Sequence, residues 1–187
     1  MTGPKIAAVL MTLTLSAALV LTGTPAQATK SVSFQGFTIQ VPVSWKVKKD
    51  PVGGLDVVTG ACSKQAMECP GFSIGGRQAI AYASEGGPYR AGQPYHPSSG
   101  VMECVPDKRY VEGVAPLKPS RAATVQVGKG HPARFTEWKL TCQTKTSKPT
   151  SVAYTQRIWY LRKEKVLVVD QWKTPGLGDI LAKAVWR

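Results

Sequence analysis

SVSFQGFTIQVPVSWKV, residues 31–47, carries apolar side chains at Val32 and Phe34 and again at Phe37, Ile39 and Val41. The phase of the alternation changes at Gly36. A turn at Gln35 and Gly36 sets Phe34 against Phe37 and Val32 against Ile39, which puts all five apolar side chains on one face. A slightly longer loop with the same register is the alternative, because Gln35 is not a favoured first residue of a tight primed turn. Pro42 lacks a ladder donor and marks the strand end or an edge. Trp45, in phase with Val41 and Val43, is placed to cap the core at the sheet's end. The stretch reads as a half-buried hairpin that identifies the fold rather than a site.

Upstream of the hairpin, Lys5 precedes an apolar run at residues 6–21 and a small-residue stretch ending in AQA. This is the pattern of a secretory signal peptide cleaved after Ala28. A permanent membrane anchor fits less well, since Thr12, Thr14 and Ser16 interrupt a run shorter than the roughly 20 residues a span needs. Removal of residues 1–28 leaves residues 29–187, a length that suits one domain. The chain holds 24 Lys and Arg against 11 Asp and Glu, net +13, and loss of the leader with Lys5 leaves 23 against 11, or +12. Such a surface attracts polyanions. The basic residues are spread without a block or stripe, which argues against a nucleic-acid module.

Cys62, Cys69, Cys104 and Cys142 all follow the leader. An even count in an oxidising compartment reads as two disulfides, and four cysteines allow three connectivities. The favoured pairing joins Cys62 to Cys69 as a local staple and Cys104 to Cys142 as a long-range one. A zinc site fits poorly, because the spacing in CSKQAMEC is wider than that of paired ligands and the other two cysteines have no close partner. Neither a metal nor a cofactor is expected.

LDVVT at residues 55–59 and GFSI at residues 71–74 read as short strands. HPARFTEWKLTC (residues 131–142), SVAYTQRIWYLR (151–162) and KVLVVDQW (165–172) are strand runs rich in β-branched and aromatic residues. Trp138, Leu140 and Cys142 alternate in the first, and Phe135 is out of phase, which predicts a bulge near Thr136 and Glu137. Both parities of the second carry apolar side chains, so it lies in the middle of a sheet. At the end of the chain, Leu177, Ile180, Leu181, Ala184 and Val185 follow helical spacing, with Thr174 and Pro175 able to cap or open the helix, although Gly176 and Gly178 argue for a start near Leu177. The fold class is α+β: an antiparallel sheet of N-terminal hairpin and C-terminal meander, on which the short terminal helix packs.

EGGPYRAGQPYHPSSG, residues 85–100, is too dense in Gly and Pro for helix or central strand and reads as a long surface loop. Its Tyr89, Arg90, Tyr95 and His96 form a candidate binding set, since phenol rings and a guanidinium stack on sugars, bases or a partner's backbone. The bland reading is an insertion without a role. Catalytic motifs are sparse: no nucleophile elbow, phosphate loop or dinucleotide fingerprint occurs. The sharpest enzymatic reading is a secreted ribonuclease with Glu137 as base, His131 as acid and Arg134 or Arg157 on the phosphate. Its counterpart is a set of solvated ion pairs across a polar sheet face.

The phrase Gly36-x-Thr38-x-x-Val41-Pro42-x-Ser44-Trp45, followed by VGKGHPARFTEWKL, SVAYTQRIWYL, KVLVVDQW and the terminal LGDILAKAVW, resembles the PsbP-like fold. That fold is shared by the extrinsic photosystem II subunit and a Ran-binding nuclear transport factor. The phrase also resembles the opening of small secreted actinobacterial proteins of unknown role. The resemblance covers both ends of the mature chain and not residues 62–118. It implies an α/β sandwich, an antiparallel sheet flanked by helices, that binds rather than catalyses, and it carries over no functional residue. The leading expectation is therefore a secreted, non-enzymatic domain whose basic surface meets an extracellular protein or polyanionic wall polymer. The alternatives are the ribonuclease, and an inhibitor or toxin acting through residues 85–100.

Overall fold

A computed structural model describes residues 28–51 and 53–187, so the signal peptide expected at residues 1–28, apart from its last residue, lies outside the described residues. Two antiparallel sheets face each other. The smaller joins β1 (Thr29–Phe34), β2 (Phe37–Pro42) and β11 (Val185–Trp186) in the order β1-β2-β11. The larger contains β3 (Lys46–Lys49), β4 (Leu55–Val58), β5 (Gly71–Gly75), β6 (Val111–Glu112), β7 (Arg121–Gln126), β8 (Pro132–Gln143), β9 (Pro149–Leu161) and β10 (Val166–Asp170). Its order is β3-β4-β5-β10-β9-β8-β6, and β7 shares the outer edge of β8 with β6.

The hairpin has the register its alternation predicts, Phe34 opposite Phe37 and Val32 opposite Ile39. Gln35 and Gly36 both take positive φ, 42° and 89°, the signature of a two-residue primed turn. The sequence predicts hairpin and meander in one sheet; instead they lie in two, because the apolar face of the hairpin packs against the larger sheet rather than extending it. The helices are short, α1 (Arg77–Ala81) and α2 (Leu177–Ala182), so the fold is mostly β rather than a sheet flanked by helices.

The larger sheet is covered on both faces, and this corrects the bulge expected near Thr136 and Glu137. The register between β8 and β9 runs unbroken from Arg134 to Thr141, and the irregularity falls between Thr141 and Gln143. What changes along β8 is the cover. Ala133 and Phe135 point to the first core, with Val32, Phe37, Ile39, Leu177 and Leu181. Trp138 and Leu140, of opposite parity, point to a second core with Ala83 and Tyr89. A phase change in apolarity therefore reports a change of covering layer, not of backbone. β10 has the same property throughout: every residue from Val166 to Asp170 is buried.

Asp170 is fully buried and fixes the turn that launches α2. Its carboxylate accepts from Arg157 Nε at 2.9 Å, from the Thr174 amide at 3.0 Å and hydroxyl at 3.1 Å, and from the Trp172 amide at 3.1 Å. Arg157 Nη2 also donates to this carboxylate and to the Thr174 carbonyl, the latter at 2.6 Å. Thr174 thus serves Asp170 and does not cap the helix, which starts at Leu177 after a left-handed Gly176. The helical spacing overshoots at Val185, which is 65% exposed and pairs in β11 with Thr38.

Both disulfides have the pairing favoured from sequence, Cys62 to Cys69 and Cys104 to Cys142. They fit an extracellular protein. Among the described residues no helix is long and apolar enough to cross a membrane.

Candidate functional site

Residues 85–100 are not a free surface loop but the cover of the second core. Tyr89 is buried and packs edge to face on Tyr160, with ring centroids 5.1 Å apart. Burial pushes its phenol up to about 12. Gln156, fully buried, clamps the backbone of Tyr95, accepting from its amide at 2.7 Å and donating to its carbonyl at 3.0 Å. His96 is held on both ring nitrogens: Nε2 donates to the Gly100 carbonyl at 3.0 Å, and Nδ1 lies 2.8 Å from the Glu112 carboxylate. The Tyr154 hydroxyl donates to the other Glu112 oxygen. Burial, then the Glu112 charge, drives the Tyr154 phenol far above its ordinary range. Of the four candidate binding residues only Arg90 is exposed.

The ribonuclease set is dispersed. Arg134 has the parity of Trp138 and faces the second core, whereas Glu137 and its cross-strand partner Arg157 face the first. His131 lies six residues from Glu137, about 20 Å along an extended chain. Its Nδ1 is 2.8 Å from Glu164, and its ring stacks on Trp186 at 4.2 Å. Arg157 is committed to Asp170 and Thr174. Arg134 and His131 are thus apart from the cross-strand pair Glu137 and Arg157, and the four side chains do not converge on one phosphate.

Two kinds of concavity border the extended segment at residues 94–97, and its alternation divides them. Pro94 and His96 line a pair of adjoining cavities of about 440 Å³ and 410 Å³, whose far wall is formed by residues 113–117. Their rim carries the most exposed large apolar side chains in the described residues: Leu117 at 99%, Val114 at 89% and Val101 at 77%. Tyr95 and Pro97 point the other way, into a cleft of about 470 Å³.

The floor of that cleft follows from the register of the large sheet. Lys48 pairs with Asp56, Asp56 with Ser73 and Ser73 with Val169, so these side chains form one row on the face opposite the first core. The 62–69 disulfide loop brings Glu68 over the row. Partial desolvation in the cleft raises the Glu68 and Asp56 carboxyl groups; mutual repulsion with Asp50 adds to it for both, and Lys48 opposes it at Asp56. Tyr95 is pushed up to about 12 by burial and then by the same carboxylates.

A carboxyl group raised on folding binds its proton more tightly in the folded state, so stability falls as pH rises through the folded pKa. The Glu68→Gln variant is therefore expected to gain stability over wild type at neutral pH. The gain should disappear below the ordinary carboxyl value of 4.5. Urea unfolding at several pH values checks this; a pH-independent difference would assign the effect to packing instead.

Sequence reading missed this acidic cleft and the apolar rim. Asp56 had a local signal, since in LDVV it opposes the buried Val57; Glu68 had only its place beside Cys69. The rim residues Val114 and Leu117, in GVAPLK, and Val101, after a Gly-rich stretch, follow no period. Comparison with protein-family models, with curated proteins and with solved structures found no match to this chain.

Proposed function

We propose that this chain is an exported, non-enzymatic binding module that docks an acidic extracellular protein on the apolar rim at Val101, Val114 and Leu117. The observation that carries the reading is the near-complete exposure of these three side chains around adjoining cavities. Isolated apolar side chains on a surface are ordinary, but a group of them bordering a concavity marks an interaction surface. The net charge of +12 that remains without residues 1–28, 23 basic against 11 acidic, supplies long-range attraction to an acidic partner. Export through a leader cleaved after Ala28 belongs to this reading, as does kinship with the PsbP-like fold, which rests on the hairpin phrase and the C-terminal runs.

The test immobilises the mature domain and challenges it with the extracellular proteins of its source and, separately, with an anionic wall polymer. Wild type is expected to retain a defined acidic protein in about 0.5 M salt, where charge attraction alone is largely screened. The Val114→Asp/Leu117→Asp variant, whose altered positions are exposed, is expected to keep the wild-type melting midpoint and to lose that retention at least tenfold, by analogy with anchor residues elsewhere, about 1.4 kcal/mol. Equal retention by the variant, or retention of the polymer alone and only at low salt, would overturn the docking surface.

A further inference from the structure

The basic residues are spread along the sequence, but the turns at one end of the large sheet gather seven of them. His131 is the hub. Its Nδ1 lies 2.8 Å from Glu164, which joins the β7–β8 turn carrying Lys129 to the β9–β10 turn carrying Arg162, Lys163 and Lys165. Its ring stacks on Trp186 at 4.2 Å, which brings in the C-terminal segment with Lys183 and Arg187. The Arg187 amide in turn donates to the Gly36 carbonyl at 2.9 Å. On the other side of that hairpin turn the Gln35 side chain packs on Gly76, where an added Cβ would come within 2.2 Å of its Nε2, and Arg77 follows at the start of α1. All seven residues are exposed, and none of them takes part in an ion pair among the described residues. Of the acidic residues in these segments, Glu164 is committed to His131, and Asp179 lies one helical turn before Lys183.

We infer that this basic end binds a flexible phosphodiester polymer outside the cell, its successive phosphates meeting lysines and arginines on separate turns. Like charges gathered without counter-ions repel one another, and a polyanion that sheds its own condensed cations relieves them. The seven cations sit on four segments rather than in one row, which suits a chain that bends between its charges better than a rigid duplex. A single-stranded nucleic acid needs free ring faces on which bases stack, whereas the Trp186 indole is already stacked against His131 at 4.2 Å and Phe37 at 5.1 Å. Val185 is the one exposed large apolar side chain in these segments, far short of the face with which a helix enters a bilayer. The basic end is also remote from the apolar rim. Gly113, beside the rim, donates to the Thr141 carbonyl at 2.8 Å, and Thr141 is about 30 Å along β8 from His131. A domain held on the polymer at this end leaves the rim free.

Fluorescence anisotropy of labelled poly(glycerol phosphate) with residues 29–187 tests the inference. Binding is expected at about 50 mM salt, with a logarithmic salt slope of about −3.5 to −5, that of about five to seven phosphates neutralised on a flexible chain. The Lys129→Glu/Lys163→Glu variant is expected to weaken binding about tenfold or more and to flatten the slope by about 1 to 2. The Lys145→Glu/Lys148→Glu variant makes the same change of charge on the β8–β9 hairpin, at the far end of the sheet, and is expected to weaken binding less than about threefold. All four substituted lysines are exposed, so both variants are expected to keep the wild-type melting midpoint. Absence of binding, equal losses in the two variants, or tighter binding of a single-stranded oligonucleotide of equal charge or of anionic lipid vesicles would overturn the site. The test of the rim scores a protein retained in high salt, and this one a polymer bound at low salt, so the two surfaces stand or fall separately.

Discussion

Replacing Arg157 by methionine is expected to cost about 3–5 kcal/mol, because it leaves the Asp170 carboxylate buried without its cation. Asp170 has no exposed surface, and its remaining donors are the Trp172 amide and the amide and hydroxyl of Thr174. For a domain of this length the loss corresponds to a fall of about 10 °C in melting midpoint. Adding Asp170→Asn to Arg157→Met is expected to recover part of it. The amide oxygen can still serve the turn, while the orphaned charge is gone. Thermal and urea unfolding of the single and double variants measure the coupling. Strict additivity of the two substitutions, or a single-variant cost under about 1 kcal/mol, would show that the pair behaves like a surface ion pair.

The second large effect is expected from Cys104→Ser combined with Cys142→Ser. The two residues are 38 apart in sequence, and chain-entropy arguments give a stabilisation of about 4 kcal/mol for closing such a loop. The separation of 7 between Cys62 and Cys69 gives about 2.5 kcal/mol by the same reasoning. The first bridge also sits where β6 joins β8, with Glu112 opposite Cys142 and the Cys104 amide donating to the Tyr110 carbonyl at 3.0 Å. Its loss should therefore speed amide exchange at residues 101–112 far more than in β10. Guanidinium unfolding with hydrogen exchange checks both statements. A larger loss from opening the Cys62 and Cys69 loop would reverse the ranking.

The hairpin and the meander strands were legible because they rest on short-range signals, alternation and turn residues; the even cysteine count gave two disulfides, while their pairing was one choice among three. The bulge was misread at Phe135 because burial depends on which layer covers each end of β8, and the first core is completed by Leu177 and Leu181, far along the chain. β3 was passed over because KVKK has no apolar face; its four residues are all exposed. β7 and α1 are likewise weakly patterned. The acidic cleft was hidden for a different reason. Asp56, Glu68, Tyr95 and Gln171 come from four separate segments, and only the cross-strand row and the disulfide loop bring them to one place. Tyr89 looked like a binding residue because an aromatic ring in a Gly- and Pro-rich segment gives no sign of the sheet that will receive it.

At one margin of the large sheet, β3 leaves a row of backbone donors and acceptors open to any passing strand. Three of its four residues are lysines, Lys46, Lys48 and Lys49, all exposed. A second copy approaching along this margin would bring like charges face to face at the spacing of neighbouring strands, about 4.8 Å. The margin that could seed a fibre is thus electrostatically closed to its own kind.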